Sequence, residues 1–249
     1  MAVFVAAAIP ASGAATGSTG GISFTDHGGQ LVVTATAYGL TLSKKNGKIL
    51  DLVDRASGTH LLRQTTRCLW GALAYRDISY IGGCSFSQRG AHRFSYRWSP
   101  ASATLTLDYR ARALGSVVVT LRAQAAFFDL RLTIANRNSV RTRVRFPEGL
   151  AGDVGQVTAG YAPNVLPGVR LKQPFFSRVG NDVQNYPSRW AFADYLALDF
   201  GPAHLSLYSV APPPGPIHPA ELGFLHGKAP APCSDQSFCI VHEFETWIT

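Results

Sequence analysis

Apolar and polar residues alternate along most of this chain, and that pattern restricts the fold to packed β-sheets. In "FFDLRLTIANR", Phe128, Leu130, Leu132 and Ile134 fall on one side and Asp129, Arg131 and Thr133 on the other. Successive side chains of a strand point to opposite faces, so this segment reads as a strand with one buried and one wet face. "HRFSYRWS", "ATLTLDYRAR" and "SVVVTLRAQ" have the same pattern, rich in the β-branched and aromatic residues that suit a pleated surface. In "GLTLSKKNGKILDLVD", Asn46-Gly47 supplies the positive φ angles of a type I′ hairpin, and a second turn is expected at Ala56-Ser57-Gly58. Turn signals return every ~8–12 residues, the spacing of a sandwich or barrel. No long amphipathic helix or internal repeat interrupts the pattern. The proline-rich Ala211 to Pro219, "APPPGPIHP", is expected to be a loop.

The chain has 249 residues, enough for one large all-β domain, expected over 21–249. Residues 1–20 read as a leader. An apolar stretch from Val3 to Ile9 precedes small residues, as in a secretory signal, but no Lys or Arg comes before Lys44, so the leader is either an incomplete signal or disordered. Later in the chain no apolar run is long enough for a membrane helix, and no membrane association is expected. Cys68, Cys84, Cys233 and Cys239 allow three pairings. Local spacing favours Cys68–Cys84 and Cys233–Cys239, each contributing ~2–3 kcal/mol if oxidised. Zinc is disfavoured because no C-x-x-C occurs. Disulfides agree with a secreted or extracytoplasmic protein.

The formal net charge is +8, carried mainly by Arg. Such a balance attracts acidic polymers or simply solvates a surface. Between Arg89 and Arg145 there are 11 Arg against two acids, Asp108 and Asp129, and Arg141, Arg143 and Arg145 share one face of a strand. Arginine forks suit sulfate, carboxylate or phosphate, but a wet face that blocks edge pairing explains them as well. Nucleic acid is not expected as a partner, because no aromatic residues interleave with that row for base stacking.

"NYPSRWAFADYLALDF" holds the sequence-derived candidates for a carbohydrate site: Tyr186, Arg189, Trp190 and Asp194. Sugar pockets are largely apolar with a few placed polar groups. Trp190, Phe192, Leu196, Leu198 and Phe200 also share one strand face, as core residues do, and Asp194 is the odd carboxylate among them. The opposite face, with Ala191, Ala193 and Ala197, suits close cover by a loop or a partner domain. Paired carboxylates for glycoside hydrolysis would come from Asp194, Asp199, Glu243 and Glu245, the last two on one strand side with Trp247. His204 and His242 lie in strand-like segments, where acid/base or structural roles are open. No G-x-S-x-G elbow, P-loop, G-x-G-x-x-G or H-E-x-x-H occurs. Accordingly no catalytic set, metal site or cofactor is assigned.

In order, three stretches resemble the β-supersandwich domain that precedes the catalytic barrel in some glycoside hydrolases. They are Leu52-Val53-Asp54-Arg55-Ala56-Ser57-Gly58, a strand–turn–strand ending at Phe146-Pro147, and Tyr186-Pro187 followed by an aromatic strand that leads to Leu207-Tyr208. The resemblance covers most of 35–249. It implies an all-β, two-sheet antiparallel supersandwich of the galactose-mutarotase-like kind. In that family the catalytic carboxylates sit on the barrel, which has no counterpart in the residues given. The expected function is therefore a non-catalytic domain that supports or binds polysaccharide or oligosaccharide, with a downstream catalytic barrel as a further expected partner. The alternatives are a sugar-active enzyme, epimerase-like or a hydrolase fragment, and a structural module docking on a partner domain.

Overall fold

The computed structural model describes residues 17–63, 69–74, 80–83, 91–111, 115–135, 140–148, 150–161, 171–172, 180–186, 195–208, 220–226 and 237–248. The chain opens with a six-stranded meander: β1 (Gly17–Thr19), β2 (Ile22–His27), β3 (Gln30–Thr34), β4 (Tyr38–Ser43), β5 (Ile49–Asp54) and β6 (His60–Arg63). Among the described residues β1 is the first strand, with Gly17–Thr19 paired to Phe24–Ile22. Next come β7 (Gly71–Ala74) and β8 (Tyr80–Gly83), then a second meander of β9 (Ala91–Ser99), β10 (Thr104–Ala111), β11 (Gly115–Ala123) and β12 (Phe128–Ala135). β13 (Val140–Arg145) and β14 (Ala151–Asp153) follow, then β15 (Ala159–Tyr161), β16 (Leu171–Lys172) and β17 (Gly180–Tyr186). The last strands are β18 (Tyr195–Asp199), β19 (His204–Tyr208), β20 (Ala220–His226) and β21 (Ser237–Ile248).

Among the described residues the fold is all-β, with no α-helix and with antiparallel pairing throughout. Among the described residues hydrogen bonding groups the strands into four antiparallel sheets around one apolar core, the all-β sandwich architecture expected from the sequence. A seven-stranded sheet runs β17-β20-β21-β13-β7-β8, with β14 added beside β21, and a four-stranded sheet runs β16-β15-β18-β19. Phe24 and Leu40 from the first meander, Leu107 and Val119 from the second, Val144 and Phe238 from the seven-stranded sheet, and Leu198 from the last all join one cluster. Phe24 stacks on Trp98 at 5.0 Å between ring centres, which fastens the two meanders face to face.

Both expected turns form, for different reasons. Ser43 to Lys48 closes a five-residue loop, Lys44 to Lys48, in which Gly47 alone takes positive φ, at 70°. A type I′ turn requires positive φ at Asn46 as well, so the hairpin is present but its turn is of another kind. The longer loop lets Gly47 N–H donate to the Ser43 carbonyl at 2.8 Å. At the second turn, the Asp54 carboxylate accepts from the Ser57 N–H at 2.8 Å and the Ser57 hydroxyl at 2.6 Å, and Gly58 has φ 72°. That is the physical content of the Asp54–Ser57–Gly58 spacing: a carboxylate closes the turn and a glycine leaves it.

Asp26 ties the meanders at their polar rim. Its side chain is only 5% exposed and accepts from Lys44 Nζ at 2.8 Å and the Tyr96 hydroxyl at 2.5 Å. Burial pushes the Asp26 carboxyl up, but those two hydrogen bonds and the Lys44 charge leave it below the usual carboxylate range. The Ser57 hydroxyl and N–H likewise hold Asp54 below it. Depressed folded-state values give stability that is present above the unfolded carboxylate pKa, ~3.9, and is lost as pH falls through the lower folded values. Urea midpoints should therefore stay level from neutral pH down to about pH 5 and drop below about pH 4. In Asp26→Asn the acid limb should be shallower, and an unchanged acid limb would exclude Asp26 as a contributor.

Cys239 is disulfide-bonded and lies in β21. Cys68, Cys84 and Cys233 lie outside the described residues, as does the proline-rich loop at 211–219.

Candidate functional site

The seven-stranded sheet brings together residues that are distant in sequence. Its core face is set by Val144, 1% exposed, Ala72, Phe238 and Ile240. Alternation then puts Arg141, Arg143 and Arg145 of β13 on the opposite face. The β13–β21 register pairs Arg141 with Trp247, Arg143 with Glu245, and Arg145 with Glu243. The arginine row and the Glu-x-Glu-x-Trp row, each visible in the sequence, are thus one two-strand patch.

The row through Glu243 extends further. Glu243 pairs with Glu221 of β20, and Glu221 pairs with Asn185 of β17. On the other side Arg145 pairs with Gly71 of β7, and Gly71 with Gly83 of β8. Directly opposed residues share a sheet face, so Asn185, Glu221, Glu243 and Arg145 form one cross-strand row of polar residues about 14 Å long, ending at two glycines. Arg145 is anchored: its Nη1 lies 3.7 Å from Oε1 of Glu148, a carboxylate 7% exposed. A buried carboxylate requires a partner, and Arg145 meets part of that need.

Tyr186, the last residue of β17, pairs with Ala220, one position beyond the Asn185–Glu221 pair and on the other face of the sheet. Arg189, Trp190 and Asp194 lie outside the described residues. The stretch that follows them behaves as core: Leu198 is fully buried, Phe200 is 5% exposed, and Ala197 is 6% exposed, covered within this chain. Asp199 is taken up by its own turn, where its carboxylate accepts from Gly201 N–H at 2.8 Å and sits 3.6 Å from the exposed His204. His242 pairs with Leu222 and falls on the face of Phe238 and Ile240, away from the polar row.

Glu221 and Asn185 were not singled out from sequence. Their signal is faint: one acid at the start of the apolar strand "AELGFLH", and an Asn at the end of "GNDVQNY". Only the register brings them beside Glu243. Among the described residues no group of three or more His, Cys, Asp or Glu is placed to hold a metal ion, and no helix is long and apolar enough to cross a membrane.

By sequence the chain matches no protein-family model and no curated protein. Among solved structures, that of HI1317 superposes with a TM-score of 0.50 at 10% identity, over 92% of this chain and 90% of that one. A galactose mutarotase related enzyme from Lactobacillus acidophilus aligns with a TM-score of 0.49 at 10% identity, over 88% of this chain and 85% of that one. The likeness to HI1317 spans nearly the whole chain and is one of fold.

Proposed function

We propose that the chain is a carbohydrate-binding β-sandwich and that the face of the seven-stranded sheet opposite Val144 and Phe238 is its saccharide site. One observation carries this: Asn185, Glu221, Glu243 and Arg145 align in one cross-strand row, beside the Arg143–Glu245 and Arg141–Trp247 pairs. Carboxylates accept from sugar hydroxyls, Arg and Asn donate to them, and Trp offers a face for a pyranose ring. The sequence-derived candidates Tyr186, Arg189, Trp190 and Asp194 remain part of the carbohydrate-binding proposal. The resemblance to supersandwich domains of glycoside hydrolases supports a saccharide ligand, with a catalytic barrel as the proposed partner. Export is part of the same proposal, supported by the bonded state of Cys239.

A second reading, a sugar-active enzyme, is favoured by one feature. Glu221 directly opposes Glu243. Like charges opposed across two strands repel, and a pair that shares one proton offers both an acid and a base.

A glycan array with the isolated chain tests the first reading. Binding to a defined set of glycans is expected, and no binding to any neutral or acidic glycan overturns it. Polarimetry of a freshly dissolved free sugar separates the second: anomer interconversion that Glu221→Gln and Glu243→Gln each abolish would make the site catalytic, and an unchanged background rate leaves it a binding site.

A further inference from the structure

The outer face of the β9–β12 sheet has no part in that site and carries an unusual charge pattern. Arg93, Arg97, Arg110, Arg122 and Arg131 all lie exposed on it, against two exposed acids, Asp108 and Asp129. The register arranges them in rows. Arg97, Thr106, Thr120 and Arg131 stand side by side across the four strands. Arg93 directly opposes Arg110, and Arg122 opposes Asp129. Among the described residues none of these five arginines takes part in an ion pair.

This arrangement is costly for a surface that needs only to be soluble. Solubility is served by interspersed signs, and directly opposed like charges such as Arg93 and Arg110 destabilise a sheet. Strand geometry spaces the cations about 5 Å apart at Arg93–Arg110 and about 14 Å apart at Arg97–Arg131, with threonine hydroxyls between the latter. Arginine forks match planar or tetrahedral oxyanions and hydroxyls match sugar oxygens, so the ligand class with both is an acidic polysaccharide.

Two other polyanions fit less well. Phe94, Tyr96 and Trp98 alternate onto the inner face, where Trp98 stacks on Phe24, which leaves this outer face no aromatic platform for bases. A membrane surface asks for apolar residues that insert, and among the described residues the exposed large hydrophobic is Phe127, in the turn before β12.

We propose that this face binds a linear acidic polysaccharide through its carboxylate or sulfate groups. The proposal stands independently of the saccharide site on the seven-stranded sheet. The test measures binding of the full chain to dextran sulfate and to polygalacturonate, with neutral dextran, duplex DNA and phosphatidylserine vesicles as comparisons, between about 50 mM and about 200 mM salt. Binding to one or both acidic polymers is expected, with affinity falling steeply as salt rises; the polymer preferred identifies the group recognised. The triple variant Arg97→Thr, Arg110→Thr, Arg131→Thr keeps strand-forming residues and should lose at least about tenfold in affinity, with a shallower salt slope. Asp108→Asn, which removes an acid from the same face, should bind more tightly and serves should the triple variant fail to fold. Lys45→Ala, in the exposed β4–β5 turn and in neither face, should leave polymer binding unchanged. No binding to either acidic polymer, affinity unmoved by both the arginine and the Asp108 changes, or DNA or vesicles bound as tightly as the polysaccharides would each overturn the assignment.

Discussion

Gly47→Ala should lower the unfolding free energy by about 3 kcal/mol, which for a chain of this size is a fall of roughly 6–12 °C in Tm. Two costs combine. The backbone at Gly47 has φ 70°, where an alanine pays ~1–2 kcal/mol. A Cβ there would also stand 2.5 Å from the Tyr109 hydroxyl and 2.8 Å from Leu107 Cδ1. Neither neighbour has room to retreat, because Tyr109 is 1% exposed and Leu107 fully buried. The β4–β5 turn is thus pressed into the second meander, and only a residue without a side chain permits that approach. Thermal or urea unfolding of Gly47→Ala measures this directly, and a loss below about 1 kcal/mol would mean that the turn does not dock as described.

Tyr109→Ala should cost about 3–5 kcal/mol, more than Gly47→Ala. The ring packs against Phe94 at 5.0 Å and Trp70 at 5.5 Å between centres, and its hydroxyl donates to the Asn46 carbonyl at 3.0 Å. Burial pushes this phenol far up, so it stays protonated and donating at any ordinary pH. Tyr109→Phe keeps the packing and loses the hydrogen bond, for about 1 kcal/mol. The two sites should also couple. In a Tyr109→Ala background, Gly47→Ala should cost about 1 kcal/mol less than it does alone, because the atom it would strike is gone. Strict additivity in that cycle would contradict the contact.

The two meanders were legible in the sequence because each strand pairs with its chain neighbour and buries one face. "FFDLRLTIANR" gave β12 its face assignment residue by residue, and Asp129, Arg131 and Thr133 are indeed the exposed ones. The seven-stranded sheet was not legible, because its neighbours are far apart in the chain: β13 lies between β7 and β21. Alternation reveals that Arg141, Arg143 and Arg145 share a face, and that Glu243, Glu245 and Trp247 share one. It contains nothing that makes those two faces the same. The turn at Asn46-Gly47 shows the limit of a dipeptide signal: the pair marks the hairpin, but the five-residue loop and the docking of Gly47 against Tyr109 decide its geometry. Glu221 was overlooked because a lone acid in an apolar strand gains meaning only from what stands opposite it.

The most direct test of a saccharide site on the seven-stranded sheet is calorimetric titration of a glycan-array ligand into the wild-type chain, Glu221→Gln, Glu243→Gln and Trp247→Ala, with the exposed-turn variant Lys45→Ala as control. The cross-strand row predicts that each of the three loses at least about tenfold in affinity, ~1.4 kcal/mol, while Lys45→Ala binds as the wild type does. Wild-type affinity in all three variants would contradict the site and leave that face of the sheet without a saccharide.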